Sequence, residues 1–218
     1  MEDQYVLEKW EWTEKDFESM GWHDCPVYAL RFDDNIYLDL DYIFKWNDNG
    51  PGNSFTFWIS PATLIFEKAH YLKMDIESDF INGFEIADIS KFRNEKGATI
   101  WNIATQEGEI LIGAESFRQI IRRPPSFQIN QSIIDDERGE ISFSIISEKN
   151  YQPSADVIKR KNSELELYEL GRKRTILLNE KDELDKNELG TKEYLLKKHK
   201  IEQNIRDIDQ LNKESSTR

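Results

Sequence analysis

The sequence predicts a mainly β protein: an antiparallel β-sandwich or barrel-like domain with one short N-terminal helix, followed by an α-helical C-terminal appendage. Three observations lead there. Short apolar or alternating runs recur from position 27 onward with turn signals about every 8–12 residues, the spacing of sandwiches and barrels. All six Trp and all twelve Phe precede position 151, and aromatic side chains dominate the burial energy of a core. Charge divides at the same place: residues 1–150 carry 14 Lys+Arg against 28 Asp+Glu, whereas residues 151–218 carry 15 against 14. Residues 1–150 therefore read as an acidic, packed domain, and residues 151–218 as a helical hairpin or coiled-coil-like appendage. Tyr151-Gln152-Pro153-Ser154 reads as the linker between them.

The elements follow in order. Thr13 is a candidate N-cap for a two-turn helix to Met20, with Asp16 at the capping-box position. Trp12 and Phe17 form a hydrophobic staple, and Gly21 is the C-terminal cap. Val27–Phe32 and Ile36–Trp46 flank Asp33-Asp34-Asn35 as a hairpin. The second of these strands alternates over its whole length. Ile36, Leu38, Leu40, Tyr42, Phe44 and Trp46 form an apolar face, and Tyr37, Asp39, Asp41, Ile43 and Lys45 a mostly polar, solvated one.

Residues 47–54 read as a loop. Phe55–Ile59 is a strand punctuated by Ser60-Pro61, and Thr63–Lys68, Tyr71–Glu77 and the weaker Glu85–Ile89 follow. Thr99–Thr105 and Glu109–Gly113 form a hairpin about Glu107-Gly108. Residues 116–123 suit either a strand or a helical turn. Gly139–Ile146 closes the domain as a strand through Ile141, Phe143 and Ile145. Beyond it, Ala155–Leu170 and Lys181–Leu211 read as helices, with Gly171 and Gly190 as breaks or caps. The narrow stripe Ile201, Ile205, Ile208 and Leu211 suits packing within a hairpin, or dimerisation of two copies through these C-terminal helices.

Composition excludes several classes. The net charge of −13 disfavours a sequence-independent nucleic-acid binder, which needs cations to displace the counterions of phosphates. A single cysteine rules out an internal disulfide framework. No apolar run reaches the roughly 18 residues of a membrane span, and no secretory pattern opens the chain, so a cytoplasmic protein without membrane contact is expected. Walker A, G-x-S-x-G, H-E-x-x-H and G-x-G-x-x-G patterns are missing. No catalytic set, no metal set and no cofactor is assigned.

Chemistry concentrates around Trp22-His23-Asp24-Cys25-Pro26. In an extended chain His23 and Cys25 point one way, Trp22 and Asp24 the other. Trp22, His23, Asp24, Asp39 and Asp41 are the candidate binding residues. Asp39 and Asp41 lie about 7 Å apart on one strand face, a spacing that suits a shared divalent cation if His23 joins them. The simpler expectation makes Trp22 a core anchor, His23 a hydrogen-bonded residue at a buried corner, and both aspartates solvated. A Cys25/His70 dyad is a further option, against Cys25 as a small buried hydrophobe. Arg118, Arg122 and Arg123 form a basic island best explained by pairing inside the domain. The leading functional expectation is a non-enzymatic acidic module docking a basic protein partner. The alternative is a metal-assisted hydrolase using His23 with Asp39 and Asp41.

The segments Met20-Gly21-Trp22-His23-Asp24-Cys25 and Phe57-Trp58-Ile59-Ser60-Pro61-Ala62-Thr63-Leu64 resemble a family of uncharacterised bacterial proteins. So do Leu38–Trp46, Trp101-Asn102-Ile103, Gln106–Glu109 and Arg122-Arg123-Pro124-Pro125. The resemblance spans residues 5–145 and leaves out the helical part. It implies a domain boundary and a bacterial source, and no activity. In general character, small acidic domains of this kind are similar to immunity proteins that neutralise toxins.

Overall fold

The structure, a computed structural model, describes residues 5–78, 83–187 and 191–215. The chain forms two compact units: residues 1–47 with 55–153, and residues 48–54 with 154–218.

The first unit is antiparallel β. Its strands are β1 (Glu11–Thr13), β2 (Cys25–Phe32), β3 (Ile36–Asn47), β4 (Thr56–Glu67), β5 (Tyr71–Ile76), β6 (Glu85–Arg93), β7 (Thr99–Thr105), β8 (Gly108–Gly113), β9 (Ser116–Ile121) and β10 (Ser126–Gln128). They form one path in the order β1-β9-β4-β3-β2-β6-β7-β8-β5, and β10 pairs with β4 beside β9. The short β2–β6 pairing at Cys25 and Pro26 joins the two halves of that path. The sheet doubles back there. Phe117 of β9 and Trp101 of β7, far apart along the path, meet edge to face at 5.1 Å, and Phe17, Trp22 and Phe66 join them. Leu38, Leu40, Ile59, Leu64, Ile103, Ile110 and Ile112 fill the space between the halves and are fully buried. Shielding these side chains from water is the main force holding the unit together.

Several expectations are corrected. The N-terminal helix is a 3₁₀ helix, Glu14–Ser19. The capping logic holds, since the Asp16 carboxylate accepts from the Thr13 N–H at 2.9 Å and its hydroxyl at 3.3 Å. However, Phe17 turns into the aromatic core, and the segment ends at Met20 in extended geometry, without a left-handed Gly21. A single 3₁₀ segment closes i→i+3 bonds, which suits a connector pinned by one partly buried ring packed against the core.

Pro61 does not interrupt β4. The Arg122 N–H donates to its carbonyl at 2.9 Å, so the missing N–H faces the β9 side of the strand. Its neighbour there changes from β10, paired to Phe57–Ile59, to β9, paired from Ala62 onward. The absent donor falls in the gap, and the β3 ladder loses nothing. Residues 116–121 resolve as a strand. Gly139–Ile146 forms none, because its backbone groups bond to side chains instead. The Ser142 N–H donates to Asp39, the Ser144 carbonyl accepts from Thr63, and the Ile146 N–H donates to the Ser144 hydroxyl. Between β10 and residue 150 the chain is thus an irregular strap carrying one helical turn, α1 (Asp135–Arg138).

The second unit is a helical hairpin, α2 (Ala155–Asn187) and α3 (Lys192–Ser215). Ser154 caps α2, its hydroxyl accepting from the Val157 N–H at 3.3 Å. Gly171 is no break, and α2 runs through it; Gly190 lies outside the described residues. Arg174–Asp209 at 2.7 Å, Lys181–Glu202 at 3.2 Å and Lys198–Asp185 at 2.8 Å hold one antiparallel register. Tyr194 and Ile208 are buried, whereas Leu211 is exposed. In residues 48–54, Asn49 and the Ser54 carbonyl both bond the Tyr168 hydroxyl at 2.8 Å. No helix among the described residues is long and apolar enough to cross a membrane.

Candidate functional site

Two arrangements in the sheet unit gather charge. The first lies on the outer face of β3. Asp39 and Asp41 are both 0 % exposed, which corrects the expectation of a solvated strand face. The strap covers them. Arg138, at the end of α1, spans the pair: one amino group donates to Asp39 Oδ1 at 2.6 Å, and its Nε donates to Asp41 Oδ1 at 3.0 Å. Arg122, just past β9, also donates to Asp39 Oδ1 and to the Ser142 carbonyl. The Ser142 N–H completes Asp39 at 3.0 Å. Asp41 Oδ2 accepts from the Ile133 N–H and the Tyr28 hydroxyl, both at 2.9 Å. Tyr28 is the extra residue at the bulge between Val27 and Ala29 of β2, and the Arg138 guanidinium stacks 3.5 Å from its ring centroid.

The electrostatics follow from that burial. Loss of water pushes the Asp41 carboxyl up, against the downward pull of Arg138, the Ile133 N–H and the Tyr28 hydroxyl. Burial lowers Arg122, and Asp39 offsets this only in part. Burial also works against the charge on Arg138, but Asp41 and Asp39 outweigh it and leave the guanidinium above its ordinary value. Each aspartate accepts three hydrogen bonds, so their oxygens are committed to two arginines, Tyr28 and the strap. Such a lattice gains little over a well-packed apolar core, yet any wrong placement of the strap strands a buried charge. Its chemistry is that of a clamp.

The second arrangement is at the surface. Asp24 has φ +58°, a left-handed turn that Asp tolerates better than most residues. That turn breaks the expected alternation. Trp22 and Cys25 are both buried, while His23 and Asp24 turn outward. Trp22 is the core anchor expected, its indole N–H donating to Gln119 at 2.8 Å. His23 is not at a buried corner; its side chain is 69 % exposed. It stacks on Trp46 at 5.9 Å, with Nδ1 3.2 Å from the Ala87 carbonyl.

Beside this turn opens a cleft of about 460 Å³ lined by Gly83, Glu85, Gln106, Glu107 and Gln131. Gln131 donates to Asp24 at 2.9 Å. Burial, with Asp24 and Glu107 nearby, pushes the Glu85 carboxyl up. Glu107 Oε2 is shielded from solvent with no hydrogen-bond partner among the described residues. Sequence reasoning misses Glu85 and Glu107 because they sit on separate segments among ordinary neighbours; the β2–β6 junction is what brings them to Asp24.

The remaining candidates are accounted for structurally. Cys25 is wholly buried, receives the Ile43 N–H at 3.5 Å, and its thiol is pushed up to about 12 by burial. His70 instead lies beside Tyr71 and Phe92 at a different cavity. Arg118 pairs with Glu67 at 2.8 Å and Arg123 with Glu148 at 2.9 Å. No group of three or more His, Cys, Asp or Glu able to hold a metal ion is found among the described residues. No family model, curated protein or solved structure matches the chain.

Proposed function

We propose that this chain is a non-enzymatic, cytoplasmic binding module whose acidic β unit docks a basic protein partner, with a Lys or Arg side chain of that partner entering the cleft lined by Glu85 and Glu107, beside Asp24. The supporting observation is that Glu85 and Glu107 line one cleft whose lining residues include no cation, with Asp24 held beside it through Gln131. Glu107 keeps a buried oxygen unpartnered among the described residues, and Glu85 is pushed up by burial and by its acidic neighbours. A guanidinium or ammonium relieves both. The 14-charge excess of acid within residues 1–150 steers a cationic partner and makes its association salt-sensitive. His23 and Trp46, stacked next to Asp24 in the turn, offer an aromatic rim. Asp39 and Asp41 take no part in binding here, since their arginines already neutralise them.

The test is titration with a hexa-arginine peptide, followed by calorimetry. Binding is expected to weaken as salt rises, and to fade as pH drops and Glu85, raised above the usual carboxylate range, becomes protonated. The double variant Glu85→Gln/Glu107→Gln should lose roughly twofold to thirtyfold in affinity, from about 0.2–1 kcal/mol per exposed ion pair. Binding indifferent to both salt and these substitutions overturns the proposal.

A further inference from the structure

The sheet ends at β5, and the residues of that strand are arranged in an unusual way for an edge. Leu72, Met74 and Ile76 lie on the face that also carries Ile110 and Ile112 of β8, their cross-strand partners or near neighbours. Ile110 and Ile112 are fully buried, yet Leu72 is 38 % and Met74 45 % exposed. The apolar inner face thus runs out to the rim unsealed. The backbone is open there too. Glu77 donates its N–H to the Glu107 carbonyl within the β5–β8 register. By alternation, the N–H and C=O groups of Leu72, Met74 and Ile76 point away from β8. Among the described residues, no strand pairs with that side.

We infer that β5 pairs antiparallel with β5 of a second copy of this chain, about a two-fold axis at Met74. The register is set by the residues themselves. Residues directly opposite in a ladder share a face, so only pairings of like parity keep both apolar sets on one side. Of these, one sets Lys73 against Lys73 and another sets Asp75 against Asp75. The pairing centred on Met74 places Lys73 opposite Asp75 of the other copy, twice by symmetry, and Leu72 opposite Ile76. Opposite charges directly across a ladder stabilise it and like charges weaken it. The open amides at Leu72, Met74 and Ile76 then exchange hydrogen bonds across the axis, and the aliphatic face becomes continuous between copies. A lysine on an edge ordinarily guards against such pairing; here the aspartate two residues on supplies its counter-charge. A self-complementary patch on both copies is what a two-fold interface requires.

The experiment is sedimentation equilibrium of the full chain at several concentrations, in low and in moderate salt. A monomer–dimer equilibrium is expected, tighter in moderate salt because each copy carries a net −13 that screening relieves. A basic partner in the acidic cleft shows the opposite salt dependence, so the two ideas fail separately. Met74→Lys sets two cations at the axis, and Lys73→Asp sets like charges across it; each should weaken the dimer at least tenfold while circular dichroism stays unchanged. The decisive variant is Lys73→Asp/Asp75→Lys, which exchanges the charges and should restore the dimer. A chain monomeric throughout overturns the inference. So does a dimer insensitive to Met74→Lys, or one that the double exchange fails to restore.

Discussion

Arg138 shows how much one side chain can organise. Its guanidinium bridges two carboxylates on one strand and stacks on Tyr28, fastening the strap to β3. Arg138→Ala leaves Asp41 and half of Asp39 buried without their cation, so the sheet unit should lose about 3–5 kcal/mol in urea unfolding. A loss below about 1 kcal/mol would mean that water replaces the guanidinium and that the clamp is loose. Cys25 gives a second measurement at this scale. Its thiol titrates near 9.0 when unfolded but only at about 12 when folded. The unfolded state therefore releases a proton first, and stability present below pH 9 is lost as pH climbs towards 12. At pH 10 the thiol's share of that loss is about 1.4 kcal/mol. Comparing urea midpoints at pH 8 and pH 10 in the wild type and in Cys25→Ala isolates it, because the variant should keep only the slope due to other groups. Tyr28 and Tyr42, both raised by burial, add to that remaining slope in the same direction.

At the scale of elements, glycines separate two kinds of backbone. Gly108, which starts β8, has φ +144°, and a Cβ there would sit 2.0 Å from the Asp75 carbonyl oxygen. Gly108→Ala should therefore disrupt the β5–β8 pairing and lower the melting temperature. Gly171 lies within α2, and a methyl group added there would meet nothing within 4 Å, so Gly171→Ala should stabilise the hairpin by about 1 kcal/mol. Helix melting followed at 222 nm distinguishes the two; a destabilised hairpin in the second variant would contradict the reading of α2 as an unbroken helix. Elements were legible in the sequence to the extent that their partners are near in the chain. The β2–β3 and β7–β8 hairpins, and the alternation of β3 as far as Ile43, can be read directly; beyond it a bulge at Phe44 breaks the alternation and leaves Trp46 exposed, against the expectation of one apolar face. Pro61 misleads because its effect depends on which strand lies alongside. The 139–146 strap misleads differently. Its alternation is genuine, but Ile141 and Ile145 face outward while Ser142 supplies backbone groups to Asp39 and Arg122.

Across the whole molecule, the chain forms two compact units, the second joining residues 48–54 to the helices that begin after Pro153. Tyr151 still serves the sheet unit, stacking on Arg123 at 4.0 Å and donating to the Glu137 carbonyl at 3.2 Å. Limited proteolysis is thus expected to cut just after Pro153 and leave a fragment that keeps its near-ultraviolet circular dichroism. Loss of that signal on cleavage would show that the helices are needed for the sheet to fold. The candidate site was the least legible part. Asp24 could be singled out locally, but Glu85 and Glu107 reach it only through long-range pairing. Asp39 and Asp41 were visible as a pair, while their burial is decided by arginines 83 and 99 positions away. That separation has a consequence for the chain as it is made. A ribosome adding about 5–20 residues per second takes roughly 5–20 s to pass from Asp39 to Arg138. During that interval β2 and β3 can pair as a nascent hairpin, but the aspartates must wait hydrated on its outer side. The strap is therefore the last part of the sheet unit to arrive, and its Arg138 closes over acids that the growing chain has already set in place.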